Sequence, residues 1–184
     1  MASNRLDDLV PELREKAGHV IEQCAARGVE LLITCTYRSP EEQAILYRKT
    51  RTKKTIEEKL LRYRERGFGF LADILEAVGP QKGHLGQHLT QAGPGESWHN
   101  YGLAFDAYPT TNGKPLWNPH VARHEWDIYG EVLAEEGLTW GGRWITSPEF
   151  PHAQLGNRGN PLYVLPPNHV KELLNEPPEN LRGT

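Results

Sequence analysis

Seven residues, Gly102-Leu103-Ala104-Phe105-Asp106-Ala107-Tyr108, constrain this chain more than any other stretch. Successive side chains alternate faces along a strand, so Leu103, Phe105 and Ala107 share one face while Ala104 and Asp106 share the other. The bulkier row calls for a core, and the carboxylate points away from it. Gly102 at the head of the run permits a sharp turn, and His99 stands three residues before it. Two residue types that bind metals thus lie seven positions apart around one glycine. Taken alone, the pair also fits an ordinary buried histidine and a strand-end carboxylate.

The flanking segments show what could pack against such a strand. Leu6, Leu9, Val10, Leu13, Ala17, Val20, Ile21 and Cys24 recur at three- and four-residue spacing, which predicts an amphipathic helix ending near Gly28. LLITCT, residues 31–36, is short, apolar and β-branched, as a buried strand should be. Ser39-Pro40-Glu41-Glu42 then supplies a capping serine, a first-turn proline and a glutamate three residues after the cap, predicting a helix to about Arg48. Arg38 falls at the strand-to-helix turn, where scaffolds present functional side chains; a surface salt bridge is the plainer alternative. Residues 48–66 are rich in charge and run into FGFLADILEAVG, which together predict one or two helices in a flap or satellite layer closed by Gly79-Pro80. Residues 83–95 read as loop. A helix is expected over 120–136, stopped by Gly137, and TWGGRWITSPEFPHAQL reads as short strands broken by Gly141-Gly142 and two prolines. The tail from 161 to 184 has room for a short helix near 168–175. This order predicts one α+β domain over 1–184, with helices on a small, mostly antiparallel sheet and an inserted helical segment at 51–85.

At 184 residues and 38% apolar content the chain can bury a real core. A formal net charge of −3 gives no global reason to expect nucleic-acid binding, and no apolar run is long enough to span a bilayer. The opening MASNRLDDLVPELREK lacks the apolar centre of a secretory signal, so cytosolic synthesis is expected. Cys24 and Cys35 show no CxxC spacing and read as reduced core thiols. The basic half of 48–66 reads as a solvated helix face, with contact to an anionic wall polymer or phosphate as the functional alternative.

Catalytic zinc typically takes three protein ligands and keeps an open position. His152, in EFPHAQL, is the best third partner for His99 and Asp106, because Pro151 stiffens its backbone and Glu149 lies three residues upstream. A glutamate beside zinc-activated water can serve as general base and then pass the proton to a leaving amine. Rival pairs exist. His120 and His124 have i, i+4 spacing on the expected helix beside Glu125, and His84 and His88 repeat that spacing among glycines. Each histidine is also compatible with an ordinary surface or hydrogen-bonded role.

With these residues in place, SWHNYGLAFD resembles the SxHxxGxAxD signature of zinc peptidases related to D-alanyl-D-alanine peptidases and the hedgehog signalling domain. WGGRW followed by EFPHAQL is similar to their second signature, and TYRSPEEQAILY to their arginine segment. LTQAGPGESWHNYGLAFD most closely resembles the L-alanyl-D-glutamate endopeptidases, a group that includes many bacteriophage endolysins. The resemblance implies a hedgehog/D-Ala-D-Ala-peptidase-like fold and one zinc per chain on His99, Asp106 and His152. It implies Glu149 as general base and Arg38 as the guanidinium that holds substrate and stabilises the oxyanion, with Ser97, Tyr37, Gln43 and Trp144 in support. Three departures stand out: the group usually has aspartate where Glu149 stands, Ala153 replaces an aromatic residue, and the 51–85 segment is long for the group.

The implied activity is hydrolysis of the peptidoglycan stem, at the L-alanyl-D-glutamate bond, as a phage lysis enzyme with antimicrobial potential. A D,D-carboxypeptidase releasing terminal D-alanine and a zinc-containing, non-catalytic wall-binding module are the alternatives. The expected setting is a monomer made in the host cytoplasm that reaches the wall through a membrane pore, with no nucleic-acid partner and no stable membrane insertion.

Overall fold

The helix expected at the start forms as α1, Pro11–Ala26, with Pro11 at its first position and Gly28 closing it at a φ of 80°. The computed structural model describes residues 2–49, 51–81, 90–156 and 159–176. These divide into two compact units, one holding the described residues of 3–37 and 102–158, the other those of 38–101 and 159–177.

The first unit contains the sheet. β1, Glu30–Cys35, pairs antiparallel with β2, Ala104–Thr111. β3, Lys114–Pro115, closes a hairpin on β2 through Asn112 and Gly113, both at positive φ. β5, His152–Gln154, lies on the other side of β2, and β4, Thr139–Trp140, lies beyond it. Every ladder is antiparallel, so the strand order is β1-β2-β5-β4. α1 and α5, Arg123–Glu135, pack on this sheet. Leu13, Ala17 and Val20 meet Trp126, Tyr129 and Leu133 over Phe105, Ala107 and Ala153. The alternation expected of β2 holds: Phe105 and Ala107 enter the core and Asp106 stays half-buried. The fold class is α+β.

The second unit is helical. α2, Pro40–Arg48, begins with the expected capping box, in which Ser39 and Glu42 each bond the other's backbone N–H. α3, Lys53–Glu65, and α4, Gly69–Ala77, follow and bury Ile56, Leu60, Tyr63, Leu71, Ala72 and Leu75. Arg48 of α2 donates through Nε to the Leu75 carbonyl at 2.6 Å. α6, Pro167–Asn175, closes the described chain. The 51–85 segment, as far as it is described, thus packs into this unit as two helices.

Candidate metal centre

Two of the expected ligands meet on the sheet. Asp106 and His152 are direct partners in the β2–β5 ladder, and His152 Nδ1 lies 3.2 Å from Asp106 Oδ1. The imidazole is only 5% exposed. Its Nε2 faces Gln154 Oε1 at 3.0 Å, two residues along the same strand. A carboxamide oxygen only accepts, so Nε2 is the donor in this contact, and Nδ1 is the ring nitrogen that faces the carboxylate. With Nδ1 unprotonated, that nitrogen and the carboxylate oxygen are placed to share a cation, and Gln154 fixes the ring in the manner usual for metal-bound histidines. The Trp144 ring covers the imidazole at a centroid distance of 5.3 Å.

β1 adds a donor that sequence reasoning took only as core. Its register slips between Ile33 and Cys35, which sets Cys35 opposite Asp106 and brings a sulfur within 4.8 Å of the carboxylate. Thr34 in the slip donates through Oγ1 to the Asp106 carbonyl at 3.3 Å. Bulges of this kind re-aim side chains next to functional sites.

Glu149 is exposed, yet its backbone is fixed. Its N–H donates to the Gly141 carbonyl at 3.1 Å, and its own carbonyl accepts from His152 N–H at 3.1 Å. A side chain at Gly141 would bring its Cβ within 2.5 Å of that Glu149 carbonyl, so the turn needs glycine there. Trp140 Nε1 donates to the Phe150 carbonyl at 2.7 Å. The Pro151 carbonyl takes two donors, Tyr129 Oη and Ala107 N–H, each at 3.0 Å. Burial holds the Tyr129 hydroxyl far above its ordinary pKa, so it stays a neutral donor. Gly130 and Gly142 make room for the Trp140 indole, which a Cβ at either would approach within 2.4 Å.

In the helical unit Arg38 and His99 come together through the backbone, Arg38 N–H donating to the His99 carbonyl at 3.2 Å. His99, in a 3-10 turn over Trp98–Tyr101, is 3% exposed. Arg38 Nη1 donates to Gln43 Oε1 at 2.9 Å, and the fully buried Gln43 donates to Thr90 Oγ1 at 3.1 Å and to the Ala92 carbonyl at 2.7 Å. The guanidinium is therefore set by a side chain that is itself anchored. Asn100, inside the motif, ties its two sides together: its Nδ2 donates to the Arg38 carbonyl at 2.8 Å and its Oδ1 accepts from Gly95 N–H at 2.9 Å. Ser97 acts through its carbonyl, which accepts from Asn100 N–H at 3.0 Å. Tyr37 belongs to the sheet unit, where its carbonyl accepts from Ser3 N–H at 2.8 Å. The rival pair His120 and His124 loses its helical spacing, because α5 begins at Arg123 and His120 lies in the turn before it. His84 and His88 lie outside the described residues.

Residues 90–155 match the model of a family described as D-alanyl-D-alanine carboxypeptidase. Over that stretch, about a third of the chain, it is similar to a peptidase M15 domain. The M15 match takes in His99, Asp106, Glu149 and His152 and leaves Arg38, Gln43 and α3 outside it. The chain is 28% identical over 154 residues to the peptidoglycan L-alanyl-D-glutamate endopeptidase CwlK of Bacillus subtilis strain 168, covering 80% of this chain and 74% of that protein. Among solved structures it is similar to the L-Ala D-Glu endopeptidase ChiX of Serratia marcescens, at TM-score 0.44 and 19% identity, covering 82% of this chain and 83% of that one. A vancomycin-resistance D,D-pentapeptidase, VanY, solved with Zn(II), aligns at TM-score 0.44 and 18% identity over 91% of this chain and 79% of that one. The LD-carboxypeptidase LdcB aligns at TM-score 0.46 and 17% identity over 94% and 72%.

Proposed function

We propose that this protein is an M15-type, zinc-dependent endopeptidase that cuts the peptide stem of bacterial peptidoglycan at the L-alanyl-D-glutamate bond. The reading is carried by the convergence of His152 Nδ1 and Asp106 Oδ1 on a ring whose other nitrogen is committed to Gln154. The likeness to CwlK supplies the substrate class. His99, Asp106 and His152 are the ligands we assign to one zinc. The metal, when bound, supplies a Lewis acid that polarises the scissile carbonyl and acidifies water.

The chain's own residues do the rest. Glu149, on its fixed turn, accepts the proton of the attacking water and delivers it to the leaving amine. Arg38, aimed by Gln43, donates to the oxyanion as charge develops on it. Trp144 shields the imidazole of His152 from water. Ser97 and Tyr37 act as supports for the segments that carry His99 and Arg38.

Mass spectrometry of a defined muropeptide incubated with zinc-loaded protein tests this. A fragment with a new N-terminal D-glutamate is the expected product. Release of free D-alanine would instead assign a D,D-carboxypeptidase, the activity named by the family model, and a bound but intact muropeptide would remove catalysis. Replacing Glu149 by Gln should lower kcat by about 10²–10⁴ while zinc content, measured by atomic absorption, stays at one per chain. In the cell we assign a monomeric phage lysis enzyme that waits in the host cytoplasm. Expression in a bacterium should then lyse the culture only when a pore-forming protein is co-expressed, and lysis without the pore would overturn that setting.

A further inference from the structure

The loop that leads into His99 is seated on α3 and α4. Gly93 lies so close to α3 that an added Cβ would stand 2.5 Å from Tyr63 Oη and 3.0 Å from Lys59 Cε. Gly95, at a φ of 76°, lies equally close to α4, where a Cβ would stand 2.6 Å from Leu71 Cδ1. Between them Tyr63 Oη donates to the Pro94 carbonyl at 2.8 Å, and Tyr101 Oη donates to the Gly95 carbonyl at 2.8 Å.

An ion pair joins helix and loop. Lys59 Nζ lies 2.5 and 2.6 Å from the two carboxylate oxygens of Glu96, with the side chains 14% and 8% exposed. The ammonium also lies over the rings of Tyr47 and Tyr63, at 5.3 and 5.2 Å. Glu96 returns to its own loop, its Oε2 accepting from Gly93 N–H at 2.8 Å. Desolvating two charges offsets most of what their attraction gives, so a nearly buried pair adds little net stability; its effect is to hold geometry. From Glu96 the connections continue through Gly95 N–H to Asn100, and from Asn100 to the carbonyl of Arg38, whose N–H meets the His99 carbonyl.

We propose that Lys59 and Glu96 are positioning residues for His99 and Arg38, and that the α3–α4 segment is the seat of the motif loop. This rests on the reading of His99 as a zinc ligand and Arg38 as the oxyanion partner. Neither Lys59 nor Glu96 touches substrate; each acts through Asn100.

The test compares Lys59→Met, Glu96→Gln and the conservative Lys59→Arg with the wild type. Hydrogen exchange at the Arg38 and Asn100 amides, followed in metal-free protein, should quicken at least about tenfold in Lys59→Met and Glu96→Gln and stay near wild type in Lys59→Arg. Zinc affinity by chelator competition should fall about tenfold or more in the first two. The absorption of the cobalt-substituted protein should shift, and kcat should fall with KM little changed. If Lys59→Met does not fold, Glu96→Gln, which preserves volume, answers alone. Lower Tm with unchanged exchange, zinc affinity and cobalt spectrum would overturn the proposal. A wild type that cleaves no muropeptide would defeat the functional reading, whereas the exchange data judge positioning on their own.

Discussion

At the residue scale the candidate centre depends on side chains whose work is to hold other side chains. Gln154 is the clearest case. Replacing it by Leu keeps the fully buried volume of β5 but removes the acceptor for His152 Nε2, and zinc affinity should drop about 10–100-fold by chelator competition with the fold intact by circular dichroism. Gly130 sets two effects against each other. Alanine would favour helix by about 1 kcal/mol, yet its Cβ would meet the Trp140 ring at 2.2 Å, and that indole is fixed by the Phe150 carbonyl. Overpacking, at about 1–3 kcal/mol, outweighs that gain, so Gly130→Ala should destabilise the protein by a net of up to about 2 kcal/mol in urea titration. His99, Asp106, Glu149 and His152 can be nominated from the sequence because each sits in a short local pattern. Gln154, Asn100 and Cys35 cannot be, since their roles follow from partners that no spacing in their own segments reveals.

At the element scale, local chemistry was read well where it decides the outcome. The Ser39 capping box forms as expected, and Gly102 turns at a φ of 66° with its carbonyl held by Val10 N–H. Ser39→Ala should cost about 1 kcal/mol, a fall in Tm of roughly 2–4 °C for a protein of this size; an unchanged Tm would mean that Glu42 and the packing of α2 hold the helix start without the cap. Helix α5 begins three residues later than the sequence predicts, at Arg123, because Asn118-Pro119-His120 forms a turn in which Asn118 Oδ1 accepts from His120 N–H at 2.9 Å. The charge-rich run at 48–66 gave its helix by pattern, but not the role of Lys59. Its partner Glu96 lies 37 residues away, and nothing local distinguishes Lys59 from its solvated neighbours.

At the scale of the whole molecule, buried proton donors set an alkaline limit on stability. Burial raises the Cys24 thiol from its ordinary 9.0 to about 11, and burial likewise raises Tyr63 and Tyr129. Each group keeps its proton in the folded state at pH values where the unfolded chain has released it. The Cys24 contribution is therefore complete below pH 9 and is lost as pH rises toward 11, while that of the tyrosines starts to fall only above pH 10, each at up to about 1.4 kcal/mol per pH unit. Urea midpoints should fall steadily between pH 9 and 11, with a shallower fall in Cys24→Ala; an identical slope in that variant would assign the effect to the tyrosines alone. Cys24 and Cys35 are both buried, as expected of core cysteines.

The turn from Glu149 to His152 has a consequence for how such enzymes diverge. Its three carbonyls are held by Trp140, Tyr129, Ala107 and His152, and none of those bonds uses the side chain at position 149. The acid there can be lengthened or shortened by one methylene without moving the histidine that follows. Such a mount lets the acid at position 149 vary while His152 stays in place, and Glu149→Asp should leave the His152 backbone unmoved.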